Sequence, residues 1–166
     1  VSQYVGISGA VNDDLTANPN GFINGGSSQQ FNSDNCCSLP AQGIHARGGV
    51  LTVGTAYSFK DMQDGTSNTM CVSEQSDFAK NNTGSTVQIN NHHGWMMGTD
   101  HLHEWHGARH FNLTTVRYPP NAVKQKGGTL LPGVGNNDGA NNGVFSPHTG
   151  GVQVALCDGS ARFVSE

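Results

Sequence analysis

Three stretches of this 166-residue chain hold side chains able to bind or activate something. The first is His101-Leu102-His103-Glu104-Trp105-His106-Gly107-Ala108-Arg109-His110. On a strand, His101 and His103 would share one face, because successive side chains alternate. Neutral imidazoles so placed ligate zinc or copper, with Asp100 or Glu104 to complete or orient the site. The spacing is not H-E-x-x-H, since Trp105 and His106 follow Glu104. With His92 and His93 upstream, the segment reads equally well as a polar, His-rich interface loop. The second stretch, residues 135–143, sets Asn137, Asp138 and Asn141 among glycines. Short oxygen-bearing side chains on a pliable loop suit Ca²⁺, which takes about six to eight oxygen ligands. One carboxylate compensates that charge poorly, and Asn-Gly runs are turn formers first. No cofactor is required by these residues, and Ca²⁺ is the candidate for this second stretch.

A third group sits near the C-terminus, where His148 is followed after nine residues by Asp158-Gly159. As a His–Asp pair with Ser146 or Ser160 for nucleophile, it would be hydrolytic machinery. Turn chemistry explains the same residues more simply. Asp158 shapes a hairpin turn, Gly159 accepts positive φ, and His148 donates a hydrogen bond that pins the incoming loop to the sheet. Asp64-Gly65-Thr66-Ser67-Asn68-Thr69 has the same character, its short polar side chains capping backbone groups in a tight turn. Gly133-Val134-Gly135 lacks the preceding strand and following helix of a phosphate cradle. Without a convergent catalytic set, the chain reads as a non-enzyme.

The elements that must position these residues are mostly strands. Val152, Val154 and Leu156 alternate with Gln153, Ala155 and Cys157, and Ser160 to Val164 returns as the partner strand. Further strands are expected at residues 3–8, 49–53, 69–74 and 111–118, the last stopped by Pro119-Pro120. Ser58 to Gln63 fits one helical turn with Ser58 as its N-cap. Gly94 to Gly98 would carry Trp95, Met96 and Met97 into the core. Residues 11–48, 79–110 and 124–147 read as loop-rich, with Asn-Pro, Asn-Gly and Gly-Gly turn signals. The expected fold is α+β and mostly β: one domain over residues 1–166, an antiparallel sheet with long loops and a C-terminal β-hairpin.

Composition narrows the class. Hydrophobic residues make up only 34% against 23 glycines, so the core is thin and the loops many. Charged residues at 12% are fewer than cytosolic surfaces usually carry, which points to an extracellular or cell-surface protein. A net charge of −4 offers no basic footprint for nucleic acid and no patch for an anionic membrane. Four cysteines, Cys36, Cys37, Cys71 and Cys157, allow three disulfide pairings in an oxidising compartment. Cys71 and Cys157 fall in expected strands and would either face each other or sit apart as buried thiols. Vicinal Cys36 and Cys37 rarely bond to each other.

Four segments together resemble a family. His148, nine residues, Asp158-Gly159 and Ser160-Ala161-Arg162-Phe163 look like the C-terminal signature of planctomycete pilin-like proteins of unknown function (domain of unknown function 1559). Tyr4-Val5-Gly6-Ile7-Ser8-Gly9, Phe59 to Thr69, and Thr114 to Asn121 are similar to that family's earlier blocks, in the family's order. The resemblance implies a head domain whose precursor carries a type IV pilin-like N-terminal helix, absent from these residues and the one expected tie to a membrane. It further implies an extracellular structural or assembly role, with the chain itself or other pilin-like subunits as partners. Trp95, Trp105 and Tyr118, among few aromatics, are the candidate interface or core anchors. An extracellular glycan- or ligand-binding β-domain is the first alternative, and a metal-dependent hydrolase built on residues 92–110 the second. The hydrolase alternative predicts that replacing His101 and His103 by Ala abolishes bound transition metal; elemental analysis showing unchanged metal content removes it.

Overall fold

The structure, a computed structural model, describes residues 2–11, 30–33, 43–46, 48–52, 56–76, 78–80, 86–88, 112–122, 131 and 141–166. Among these it is mostly β with almost no helix. The strands are β1 (Ser2–Ala10), β2 (Gln30–Ser33), β3 (Gly43–Ala46), β4 (Met70–Ser76), β5 (Phe78–Lys80), β6 (Thr86–Gln88), β7 (Leu113–Val116), β8 (Gly151–Leu156) and β9 (Ala161–Ser165). The five-stranded sheet runs in the order β7-β1-β4-β8-β9. Two antiparallel ribbons, β2-β3 and β5-β6, accompany it.

The sheet is mixed rather than antiparallel as expected. β1 pairs antiparallel with β4, but parallel with β7 on its other edge. Strand direction there is set by where a long intervening chain returns, which no local pattern encodes. Other corrections are local. Residues 11–48 and 79–110, read as loops, hold β2, β3, β6 and part of β5. Of the strand expected over 49–53, the described residues 49–52 form none: residues 49–51 bend and Thr52 makes an isolated bridge. The turn after Ser58 is a 3-10 helix at Phe59–Asp61, closed by the Ser58 N–H donating to the Asp61 carboxylate at 2.8 Å.

Register defines the two faces. Val5, Ser73, Val154 and Arg162 form one cross-strand row, whose side chains point one way. Tyr4 opposite Glu74, then Gln153 opposite Phe163, point the other way, as do Gly6, Val72, Ala155 and Ala161. On the first face lies the core, where Ile7, Val144, Val152, Val154 and Leu156 pack together with Met70, Val116 and Val164 against them. That face is covered by residues 141–146, a strap with no regular partner strand, all of them buried. Phe145 makes a parallel bridge to Gln75 and donates its N–H to the Glu74 carbonyl at 3.1 Å.

Among the described residues, the second face is covered only at one end. The Gly49 N–H donates to the Ser8 carbonyl at 2.8 Å, and a Cβ on Gly49 would sit 2.6 Å from the Ser8 carbonyl carbon, so only glycine lets the chain lie this close to β1. Leu51 and Leu113 close over Gly6. Beyond them the face opens, leaving Tyr4 53% and Phe163 52% exposed.

The two aromatics thus have opposite worth. Phe145→Ala should lower unfolding free energy by about 3–5 kcal/mol in urea titrations, and Phe163→Ala by only about 1 kcal/mol. Equal losses would mean that the core does not lie under the strap.

Candidate functional site

The strap brings His148 to the mouth of the open face. Its backbone N–H donates to the Ser146 hydroxyl at 3.2 Å, a local turn bond two residues long. The imidazole reaches outward, with Nε2 4.0 Å from Oε1 of Glu74. Glu74 is the recessed member of the pair: its side chain is 10% exposed and that of His148 67%. Its second oxygen, Oε2, accepts the Gln153 N–H at 2.9 Å. That N–H would otherwise face a gap, because β4 turns from β8 to Phe145 at this point. Glu74 therefore closes the sheet where the strap enters, and the side chain of His148 approaches it at 4.0 Å, too far for the expected hydrogen bond. Tyr4, the cross-strand partner of Glu74, lies on the same face, as do Gln153 and its partner Phe163.

A hydrolytic set is not assembled from His148 and Asp158. The six-residue strand β8 lies between them, about 20 Å of extended chain. Ser146 is fully buried, and the Ser160 hydroxyl is bonded to Asp158 at 2.6 Å. At the far end of β8, Leu156, Cys157, Asp158 and Gly159 form a turn closed by the Gly159 N–H to the Leu156 carbonyl at 3.0 Å. Leu156 then pairs with Ser160, so three residues connect the strands, with Gly159 at φ 85°. Asp158 accepts from the Ser160 N–H as well, at 2.9 Å.

The Asp64–Thr69 block builds the adjoining turn. Asn68 donates its side-chain amide to the Asp64 carbonyl at 3.0 Å, and the Thr69 hydroxyl donates to the Gly65 carbonyl at 2.9 Å. Gly65 takes φ 82°. The two Asp-Gly turns meet where the Cys157 N–H donates to the Thr69 carbonyl at 2.9 Å. Beside them lies a cleft of about 320 Å³, lined in part by Gly49, Tyr57, Asp61, Met62, Asp64 and Thr69.

The remaining candidates divide. Asn141 is buried and donates its amide to the Thr115 carbonyl at 3.1 Å, holding the strap to β7. Tyr118 is half-buried with Arg117 stacked 5.3 Å from its ring centre. Cys71 and Cys157 are half-buried free thiols close to one another. His101, His103, Asn137, Asp138, Trp95, Trp105, Cys36 and Cys37 lie outside the described residues. Among the described residues no three His, Cys, Asp or Glu side chains converge as metal ligands.

Sequence reading missed Glu74, Gln75 and Asn121 as determinants. Gln75 donates its amide to the Asn142 and Gly143 carbonyls at 3.2 and 3.1 Å. Asn121, at φ 62°, accepts the Ser146 N–H at 2.8 Å and donates to Glu166 at 2.6 Å. For Glu74 and Gln75 the signal was an unbroken polar run, Ser73-Glu74-Gln75-Ser76, at the end of a strand that continues into a packed sheet.

Asp158 supplies the pH dependence of this region. The Ser160 hydroxyl and then the Ser160 amide hold its carboxyl below the ordinary aspartate value. A lowered folded-state value stabilises the turn above the unfolded pKa of about 3.9, and that contribution fades as pH falls through the folded value. NMR titration should find Asp158 below the ordinary value in the native chain and shifted upward in Ser160→Ala. An unchanged titration in that variant would reject the hydroxyl as the cause.

Comparison with known proteins adds one result. No curated protein and no solved structure matches the chain. A family model described as "Protein of unknown function (DUF1559)" matches residues 7–166, which takes in the blocks at Phe59–Thr69, Thr114–Asn121 and His148–Phe163 whole and the end of the first, Ile7-Ser8-Gly9. The chain belongs to this DUF1559 family.

Proposed function

We propose that this chain is a non-catalytic head domain of an extracellular structural or assembly protein, a pilin- or pseudopilin-like subunit that packs against copies of itself or similar subunits. The observation that carries this reading is the open half of the second sheet face. Its floor is small and apolar, made by Val72, Ala155 and Ala161, and two half-exposed aromatics, Tyr4 and Phe163, stand at one end. Glu74 and His148 add polar groups that fix the orientation of whatever packs there. A rigid sheet with one face sealed by a strap and the other partly bare is suited to burial against a helix or a neighbouring subunit. Family membership agrees with this role without assigning it.

One observation favours a ligand-binding β-domain instead. The cleft beside Tyr57 presents an aromatic ring and the Asp61 and Asp64 carboxylates, a combination that suits polyhydroxylated or cationic ligands. The hydrolase alternative rests on His101 and His103 and gains nothing from the described residues.

Electron microscopy of material sheared from the native source distinguishes the first two. Filaments or ordered assemblies containing the chain are expected, and Phe163→Glu should abolish them while leaving the circular dichroism of the head unchanged. Monomers throughout would overturn the assembly role and shift the weight to the cleft.

A further inference from the structure

Cys71 is the extra residue of a β-bulge. The ladder between β4 and β8 pairs Met70 with Leu156 and then Val72 with Ala155, so Cys71 has no partner of its own. Bulges disrupt pairing and re-aim a side chain. Met70 and Leu156 point into the core, and Val72 and Ala155 point to the opposite face. Cys157 follows Leu156 and by alternation turns away from the core as well. Its backbone is fixed beside the start of β4 by the Cys157 N–H to Thr69 carbonyl bond at 2.9 Å. The Cys71 thiol donates to the Ala155 carbonyl at 3.3 Å, which holds it over the end of β8. Both cysteines therefore lie at the end of β8, Cys71 over the Ala155 carbonyl and Cys157 two residues further on. Neither belongs to the core cluster, and both are half-buried, so a small reagent reaches them.

We propose that Cys71 and Cys157 are the two halves of a cross-strand disulfide that fastens β4 to the β8–β9 turn. The oxidant is a second disulfide of the glutathione or protein-oxidase class. One thiolate attacks it to form a mixed disulfide and expel one thiol; the other thiolate then displaces the second thiol and closes the Cys71–Cys157 bond. Two cysteine thiols lose two protons and two electrons, and the oxidant takes up both as two thiols. Burial, and next the Cys71 thiol, push the Cys157 thiol up from its ordinary value, so reaction quickens in alkaline solution where thiolate forms. The two cysteines are far apart in sequence, and a bond between them restrains a long stretch of the unfolded chain. Two thiols without a third ligand among the described residues do not make a closed metal site.

The test is a peptide map of the whole chain, incubated with oxidised glutathione at about pH 8.5, alkylated and digested without reduction. The expected product is one linked pair of peptides carrying Cys71 and Cys157, about 2 Da lighter than their reduced sum and separated by reductant. The thermal midpoint of the oxidised chain should rise by roughly 5–10 °C over the reduced chain. Cys157→Ser should lose that rise and leave Cys71 as a glutathione adduct. Recovery of Cys71 and Cys157 as separately alkylated peptides, or either joined to Cys36 or Cys37, overturns the proposal. The map of the unsubstituted chain decides the matter even where the serine variant fails to fold.

Discussion

Buried strands satisfy their backbone groups by pairing, but a buried strap has no such partner. Residues 141–146 cross the core face without a continuous ladder, and each amide there still needs a hydrogen bond. Side chains of the sheet supply many of them. Gln75 serves the Asn142 and Gly143 carbonyls, and Thr114 donates to the Asn142 carbonyl as well. Asn121 takes the Ser146 N–H and gives its own N–H to the Val144 carbonyl at 3.0 Å. An unsatisfied buried group costs about 1–3 kcal/mol, so losing several of these bonds would be comparable to the whole stability of a small domain. This constraint explains an interior in which Ser8, Ser73, Gln75, Thr114, Thr115, Asn141 and Asn142 are all buried.

The same network divides the sheet into a committed face and an available one. Once the strap is fixed, Val144 and Phe145 can enter the core and complete a hydrophobic cluster too thin to close alone. The strap then has to leave the sheet and become β8, and at that exit β4 and β8 separate. Glu74 fills the opening by taking the Gln153 N–H, and His148 stands over it. The C-terminal family motif thus marks both ends of β8, one where the strap joins and one where the hairpin turns back. A structural necessity of the first face therefore places polar and aromatic groups on the second.

Legibility followed the range of the interactions. The β8–β9 hairpin could be read because its alternation, its Asp-Gly turn and its return strand lie within one short segment, although the connection proved one residue longer than the Asp-Gly pair. The 3-10 turn after Ser58 and the turn at Gly65 were legible for the same reason. The ribbon strands β2, β3, β5 and β6 were not, since runs of three or four residues carry too little periodicity to stand out from Asn- and Gly-rich surroundings.

What the sequence determined alone is the β-rich class, the turn positions and the family, because these rest on neighbouring residues whose φ preferences and alternation act locally. Tertiary structure decided the rest. The parallel pairing of β7 with β1 depends on how a long connection closes. The burial of Gln75, Asn121 and Asn141 depends on a strap arriving from elsewhere in the chain. The meeting of Cys71 with Cys157 depends on a bulge in the register between two distant strands. Polar side chains look alike in sequence whether they face water or an orphaned carbonyl, and only the fold sets which of the two they meet.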